Sequence, residues 1–278
     1  MQALILGGIS WNTMVYVDAF PAPMPQTVFP RHSHDTIGSS GAGKALNLRN
    51  LGADVTLWGL LGRDDEGTRV RTGIESRGID LVTQDDPNGT MRHVNVMDAA
   101  GDRISIFVNP GSHEIDVDVD LVGAVAETAD LVAVTILHHC RQFLPLLREI
   151  GAPVWVDIHD YDGTDPYHSD FIEAADYLFM NSVAHNDWRG FLDQRIAAGI
   201  RAAVCTHGAA GASGLTAADG WIDVPALPVD VVDTNGAGDA FFAGFATAWL
   251  GTPSLGAALE RGAHAAAAAV QSPDLAPR

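Results

Sequence analysis

Short apolar runs at 3–7, 54–60, 130–136, 153–157, 176–180, 202–206 and 212–216 are separated by stretches of helical spacing at 41–51, 66–77, 139–150, 182–190, 237–250 and 253–271. A short continuous apolar run is a strand buried on both faces, and a helix between consecutive strands is the connection that parallel pairing needs. The alternation predicts an α/β chain: a central, mostly parallel sheet flanked by helices. The 278 residues suit one large α/β domain with a small appendage, and a hydrophobic content of 47% suffices for its core. Two segments break the rhythm. Residues 13–36 carry Pro21, Pro23, Pro25 and Pro30, and 90–108 alternate in strand fashion through Val94, Val96, Ile104, Ile106 and Val108. Both are read as strands of a small β-sheet, leaving 1–12, 37–89 and 109–278 to the α/β domain. The alanine-rich tail, 265–278, is expected to fray.

The formal net charge is −19, from 35 acids and 16 bases. No basic run exists to neutralise nucleic-acid phosphates, so that class of partner is excluded. Cys140 and Cys205 are the only cysteines and form no CxxC, which reads as buried, reduced thiols in a cytoplasmic protein. The first apolar run is short and ends in Gly7-Gly8, as a strand does and a signal peptide does not, and no stretch reaches the length of a membrane span.

Residues 233–241 read Asp-Thr-Asn-Gly-Ala-Gly-Asp-Ala-Phe, and the chain turns apolar and helical immediately afterwards. This places the small-residue turn Gly236-Ala237-Gly238 at a helix N-terminus, where free N–H groups and the macrodipole favour negative charge. Asp239 sits one step inside. An anion hole with a carboxylate beside it is what phosphoryl transfer to a hydroxyl needs: donors for the moving charge and a base for the hydroxyl proton. A plain glycine turn with an acid in the first helical turn is the alternative.

A second glycine loop, Gly38-Ser39-Ser40-Gly41-Ala42-Gly43-Lys44-Ala45, nearly spells a phosphate-binding P-loop. Ala45 replaces the hydroxyl residue such a loop uses for Mg²⁺, and residues 31–36 do not read as a buried strand. Lys44 is the only lysine; the other 15 bases are arginines. It reads either as a point-charge ligand for a substrate anion or as a solvated lysine at a helix start. His32-x-His34-Asp35 has metal-like spacing but no further ligands at recognisable intervals, and is read as polar surface of the small sheet.

The nonapeptide at 233–241 resembles the C-terminal signature of the ribokinase-like (pfkB) carbohydrate kinases, and 38–52 resembles their N-terminal signature. Three weaker motifs follow in family order: Leu6–Asn12, Leu61–Gly67 and Cys205–Gly211. The resemblance implies a ribokinase-like fold with the small β-sheet as a lid, and ATP-dependent phosphorylation of a sugar CH₂OH. It makes Asp239 the base and Gly236, Ala237 and Gly238 the anion hole. It assigns Asn12, Gly38, Ser39 and Gly43 to the substrate, with Lys44 and His139 as further candidates. It assigns Asn181, Thr206, Gly208 and Gly211 to the nucleotide. Mg²⁺ is implied, and K⁺ at Asp233. The lid in many relatives is a dimer surface. The sequence departs from the family at Asn12 (usually Asp), Ser39 (usually Gly), Gly43 (usually Asn) and Ala184 (usually a Glu that helps organise Mg²⁺; His185 or Asp187 are substitutes). Trp11 is a candidate for stacking on a sugar or base, or for packing the lid. A nucleoside kinase, a phosphosugar kinase and a nucleotide- or sugar-binding protein with feeble catalysis stay open as alternatives.

Overall fold

The computed structural model describes residues 1–277. In chain order the elements are β1 (Gln2–Leu6), β2 (Ser10–Tyr16), β3 (His32–Gly38), α1 (Ser40–Asn50), β4 (Asp54–Leu61), α2 (Asp65–Glu75), β5 (Asp80–Asp85), β6 (Met91–Met97), β7 (Arg103–Asn109), α3 (Asp120–Ala126), β8 (Leu131–Thr135), α4 (Leu144–Ile150), β9 (Val154–Asp157), α5 (Ser169–Ala174), β10 (Tyr177–Asn181), α6 (Trp188–Ala197), β11 (Ala202–Thr206), β12 (Ala212–Thr216), β13 (Gly220–Val224), α7 (Ala237–Gly251) and α8 (Leu255–Ala269). Nine strands form one sheet in the order β13-β12-β11-β10-β9-β8-β1-β4-β5. Every pair is parallel except β11–β12 and β12–β13. The central strands β1 and β8 are buried almost throughout, as continuous apolar runs require, and hydrophobic clusters cover both faces of the sheet.

The second sheet is four-stranded, in the order β3-β2-β6-β7, and holds the two segments that broke the rhythm. It begins at Ser10 rather than at 13, and the proline-rich residues 17–31 form the loop between β2 and β3. In β2 burial alternates from Ser10 to Tyr16. Asn12, Met14 and Tyr16 therefore share one face, and Trp11, Thr13 and Val15 the other.

Two sequence expectations are corrected. The helix expected at 182–190 starts only at Trp188, because the Asp187 side chain accepts from Gly190 N (3.2 Å) and caps it there. The tail does not fray wherever the sequence looks weak: α8 runs to Ala269, and Leu275 and Ala276 are 5% and 2% exposed. The Leu275 carbonyl lies under Gly236, where it would meet a Cβ at 2.8 Å, so the tail packs beneath the glycine turn. Asp64 caps α2, accepting from Gly67 N (2.7 Å).

Candidate active site

The site lies at the carboxyl ends of the parallel strands, where open α/β sheets bind ligands. Gly236 (φ +79°) turns the chain into α7, a left-handed conformation that favours glycine. The helical ladder first closes at Ala240 N → Gly236 O (2.9 Å), so the amides of Gly238 and Asp239 have no carbonyl one turn behind them. Ala237 N, expected among the anion-hole donors, already donates to the Thr234 carbonyl (3.3 Å), so the free amides at this helix start are those of Gly238 and Asp239. Asp239 follows them and is 9% exposed.

Lys44 reaches this carboxylate from α1. Its ammonium donates to Asp239 Oδ1 (2.6 Å), Asp157 Oδ2 (3.0 Å) and Ser40 Oγ (2.7 Å), and Ser40 Oγ donates to Asp239 Oδ1 (2.8 Å). An ammonium has three donors, and all three are committed inside the protein. Lys44 is 2% exposed, so it is neither a solvated lysine nor one with a donor free for substrate. Burial alone would lower its pKa; Asp239 and Asp157 outweigh that and push it up to about 12. Burial likewise works to raise the Asp157 carboxyl, but His159 and Lys44 hold it well below the usual carboxylate range.

Gly43 explains its own departure. A Cβ there would fall on Asp239 Oδ2, so only glycine leaves the carboxylate its place. Gly38 is similar: a Cβ would meet the Asn12 amide, whose Oδ1 accepts from Ser10 Oγ (2.7 Å). Ser39 keeps φ +74°, ψ 153°, a region that is nearly glycine-only, and therefore carries the strain that the usual glycine avoids. The P-loop alternative ends here, because β3 is an edge strand of the small sheet in which only Gly38 is buried.

His139 is buried and lines a narrow cavity with Gly8, Met91 and Ser112. Burial pushes its pKa down to about 4, so it is neutral there at physiological pH. Asn181 and Thr206 are paired residues at the ends of β10 and β11. Asn181 Oδ1 accepts from Val183 N (3.0 Å), and Gly208 (φ +56°) and Gly211 (φ +106°) shape the loop that follows. His207 bridges Ser182 Oγ and Ser213 Oγ, 2.9 Å from each, and fastens this loop. Both oxygens of Asp233 already accept hydrogen bonds, from Tyr16 OH (2.5 Å) and Asn235 N (2.7 Å). A K⁺ ion at Asp233 would have to share them. Of the two substitutes for the missing glutamate, Asp187 caps α6 through Oδ1, and His185 packs on Tyr161 and Phe191 with its Nδ1 buried and unpartnered.

Strand alternation separates residues that the sequence groups together. Trp11 points away from Asn12 and lies against Arg69 of α2, 5.8 Å from ring to guanidinium, so it packs the small sheet onto α2. Asp35 bonds Thr13 on that same outer face, whereas His32 and His34 stack on Tyr16 on the other; no metal site forms from them. Among the described residues, the one cluster of three candidate metal ligands is His113, Glu114 and His138. Arg141 lies 3.1 Å from His138 Nδ1 and disfavours a cation there. Both thiols are buried, which pushes each to about 12 and leaves them unreactive.

Sequence reasoning missed Asp157, Ser40 and Tyr16. Asp157 left one usable signal, an acid at the carboxyl end of a buried parallel strand. Ser40 and Tyr16 left none.

A family model described as pfkB family carbohydrate kinase matches residues 11–277. The chain is 31% identical over 281 residues to the acarbose 7(IV)-phosphotransferase of Actinoplanes sp., covering 98% of this chain and 93% of that one. It is 29% identical to the ATP-dependent ribose-1-phosphate kinase of Halopiger xanaduensis, covering 94% and 88%. Among solved structures, a microbiome-derived acarbose kinase superposes with a TM-score of 0.89 at 28% identity, over 98% of this chain and 93% of that one.

Proposed function

This chain belongs to the pfkB family of carbohydrate kinases, and on that premise we propose that it transfers the γ-phosphoryl group of ATP to a primary CH₂OH of a sugar. The observation that carries this reading is the Asp239 carboxylate beside the free amides of α7, with Oδ1 held by Lys44 and Ser40 and Oδ2 beside Gly43. The acceptor hydroxyl would give its proton to Asp239 Oδ2 as its oxygen bonds to the γ-phosphorus, and the bridging oxygen would leave with ADP. Charge developing on the transferred group would meet the amides of Gly238 and Asp239.

Bound Mg²⁺ would neutralise the β- and γ-phosphates. The residues present do not form a protein cage for it: Asp157 and Asp239 are both held by Lys44, and Ala184 has no carboxylate. The ion would come with the nucleotide. Asn181, Thr206 and the loop at Gly208 and Gly211 are the proposed nucleotide contacts; Asn12, Gly38, Ser39 and His139 are the proposed acceptor contacts. Lys44 joins the catalytic group instead. With Trp11 turned outward, the aromatic that would have favoured a nucleoside is gone from the pocket. ATP supply and the two reduced thiols favour the cytoplasm.

The test is ATP turnover with Mg²⁺, with and without K⁺, against ribose, fructose, other hexoses, inositol, nucleosides, phosphosugars and acarbose. Asp239→Asn is expected to lower kcat about 10²–10⁴-fold with the fold intact. Tight ATP binding without turnover of any acceptor would favour the binding-protein reading; turnover surviving in Asp239→Asn would remove Asp239 as the base.

We also propose that the lid pairs with a second copy of the chain. Edge strand β7 exposes Ile104, Ile106 and Val108 on its outer face, an apolar edge that soluble proteins seldom leave open. Light scattering should report a dimer that Ile106→Glu converts to monomer; a monomeric wild type would dismiss the pairing.

A further inference from the structure

The inner face of the lid carries polar atoms that nothing in the protein satisfies. Asn12, Met14 and Tyr16 of β2 share that face with His34 of β3 and with His93 and Asn95 of β6, their register partners. It is the face turned to the catalytic groups. Tyr16 reaches Asp233 of the anion-hole motif. Met91, two residues before His93, lines the cavity that also touches Gly8 and His139.

Three atoms on this wall are buried without a hydrogen-bond partner: His34 Nε2, His93 Nε2 and Asn95 Oδ1. Asn95 is 2% exposed, and its amide nitrogen meets only the Met14 sulfur, at 3.4 Å. A buried polar group without a partner is a standing cost in a protein with nothing bound, and a cluster of them on one face calls for an explanation, of which a bound ligand is one. On the outer face of the same sheet no side chain among the described residues is orphaned in this way.

The row Asn12–His93–Phe107 crosses the sheet from the acceptor loop to the edge strand. Neighbouring strands lie about 4.8 Å apart, so the row spans about 10 Å. Phe107 ends it, 58% exposed, with its ring centroid 4.0 Å from that of His93. A half-exposed aromatic at the end of a polar row suits the apolar CH face of a sugar ring, whose hydroxyls then find polar partners on either side.

The wall offers little free charge. Lys44 is committed to three acceptors, Arg92 lies by Glu66 (3.6 Å) and Arg31 by Asp18 (3.5 Å) and the Val17 carbonyl (3.1 Å), whereas Arg103 meets only the neutral Asn235 Oδ1 (2.5 Å) and keeps its charge uncompensated. Burial and the nearby Arg103 lower the His93 pKa to about 4, which keeps that ring neutral. A phosphate usually meets more than one unspent cation, and among the described residues this wall offers Arg103 alone.

We propose that the inner face of the lid is a second acceptor subsite, in which His34, His93 and Asn95 hydrogen-bond and Phe107 stacks on a neutral sugar unit beyond the one that is phosphorylated. The acceptor is then a neutral glycoside or oligosaccharide rather than a monosaccharide or a phosphosugar. This rests on the kinase reading, but binding tests it without turnover. The measurement is calorimetric titration of the full chain with glucose, maltotriose and glucose 6-phosphate, for wild type, Phe107→Ser and Asn95→Leu, alongside the KM for ATP. Expected is binding of maltotriose at least about tenfold tighter than either glucose or its phosphate, a preference that each variant removes while the KM for ATP holds. Phe107 is exposed, so its variant folds whatever Asn95→Leu does. Equal affinities for the three sugars, tightest binding of the phosphate, no binding of any, or a preference retained in Phe107→Ser would overturn the subsite. Failure of the kinase reading would show separately, as absent ATP turnover while the maltotriose preference and its loss are still measured.

Discussion

Lys44→Met is the sharpest test of the arrangement around Asp239. Methionine has similar length and no charge, so the substitution removes the ammonium with little change of volume. It leaves Asp157 and Asp239, with side chains 13% and 11% exposed, without the cation that both face. Removing one partner of a buried ion pair costs about 3–5 kcal/mol, because a desolvated charge is left uncompensated. An independent figure comes from Lys44 itself: moving its pKa from 10.5 to about 12 corresponds to about 2 kcal/mol in favour of the folded, protonated form. The larger figure adds the two stranded carboxylates, so a loss of about 3 kcal/mol at neutral pH is expected.

The pH dependence follows from the same groups. The Asp157 pKa is lowered, so its contribution is present above the ordinary carboxylate value and is lost as pH falls through the lowered one. The Lys44 pKa is raised, so its contribution is present below 10.5 and is lost as pH rises through about 12. In Lys44→Met, acid relieves the stranded carboxylates, and the gap from wild type should narrow between pH 7.5 and pH 5. Urea denaturation followed by tryptophan fluorescence at the two pH values measures this, and Lys44→Met/Asp157→Asn should recover part of the loss. A loss below about 1 kcal/mol at pH 7.5, or one equal at both pH values, would refute the reasoning.

Two further predictions concern the glycine loop. Ser39→Gly should stabilise the protein by about 1 kcal/mol, since relief of a positive φ outweighs the added freedom of the unfolded chain; a thermal midpoint unchanged or lowered would count against strain at this residue. Gly43→Ala would ordinarily favour a helix interior by about 1 kcal/mol. Here the new Cβ displaces the Asp239 carboxylate, so kcat should fall by at least tenfold; activity equal to wild type would show that Oδ2 needs no room at that place.

Much of the fold was legible because it is written in local patterns. Apolar runs and helical spacings marked the sheet and its main helices, and alternation in 90–108 marked a separate sheet. The helix at α6 was displaced because its start depends on one cap, Asp187, among several polar residues that would serve equally well. The tail was misjudged because its composition is weak and its support is distant: Leu275 packs beneath Gly236, nearly forty residues away in sequence.

By itself the sequence determined the α/β class, the helix that begins at the glycine turn, and the carboxylate placed within its first turn, since each follows from residues a few positions apart. Only the tertiary structure decided what holds that carboxylate. Lys44 meets Asp157 across 113 positions and Asp239 across 195, and Tyr16 meets Asp233 across 217. A lone lysine reads the same in solvent or in a core. Its role here depends on burial and on which acids the fold brings to it, and both are properties of packing between elements rather than of any local stretch of chain.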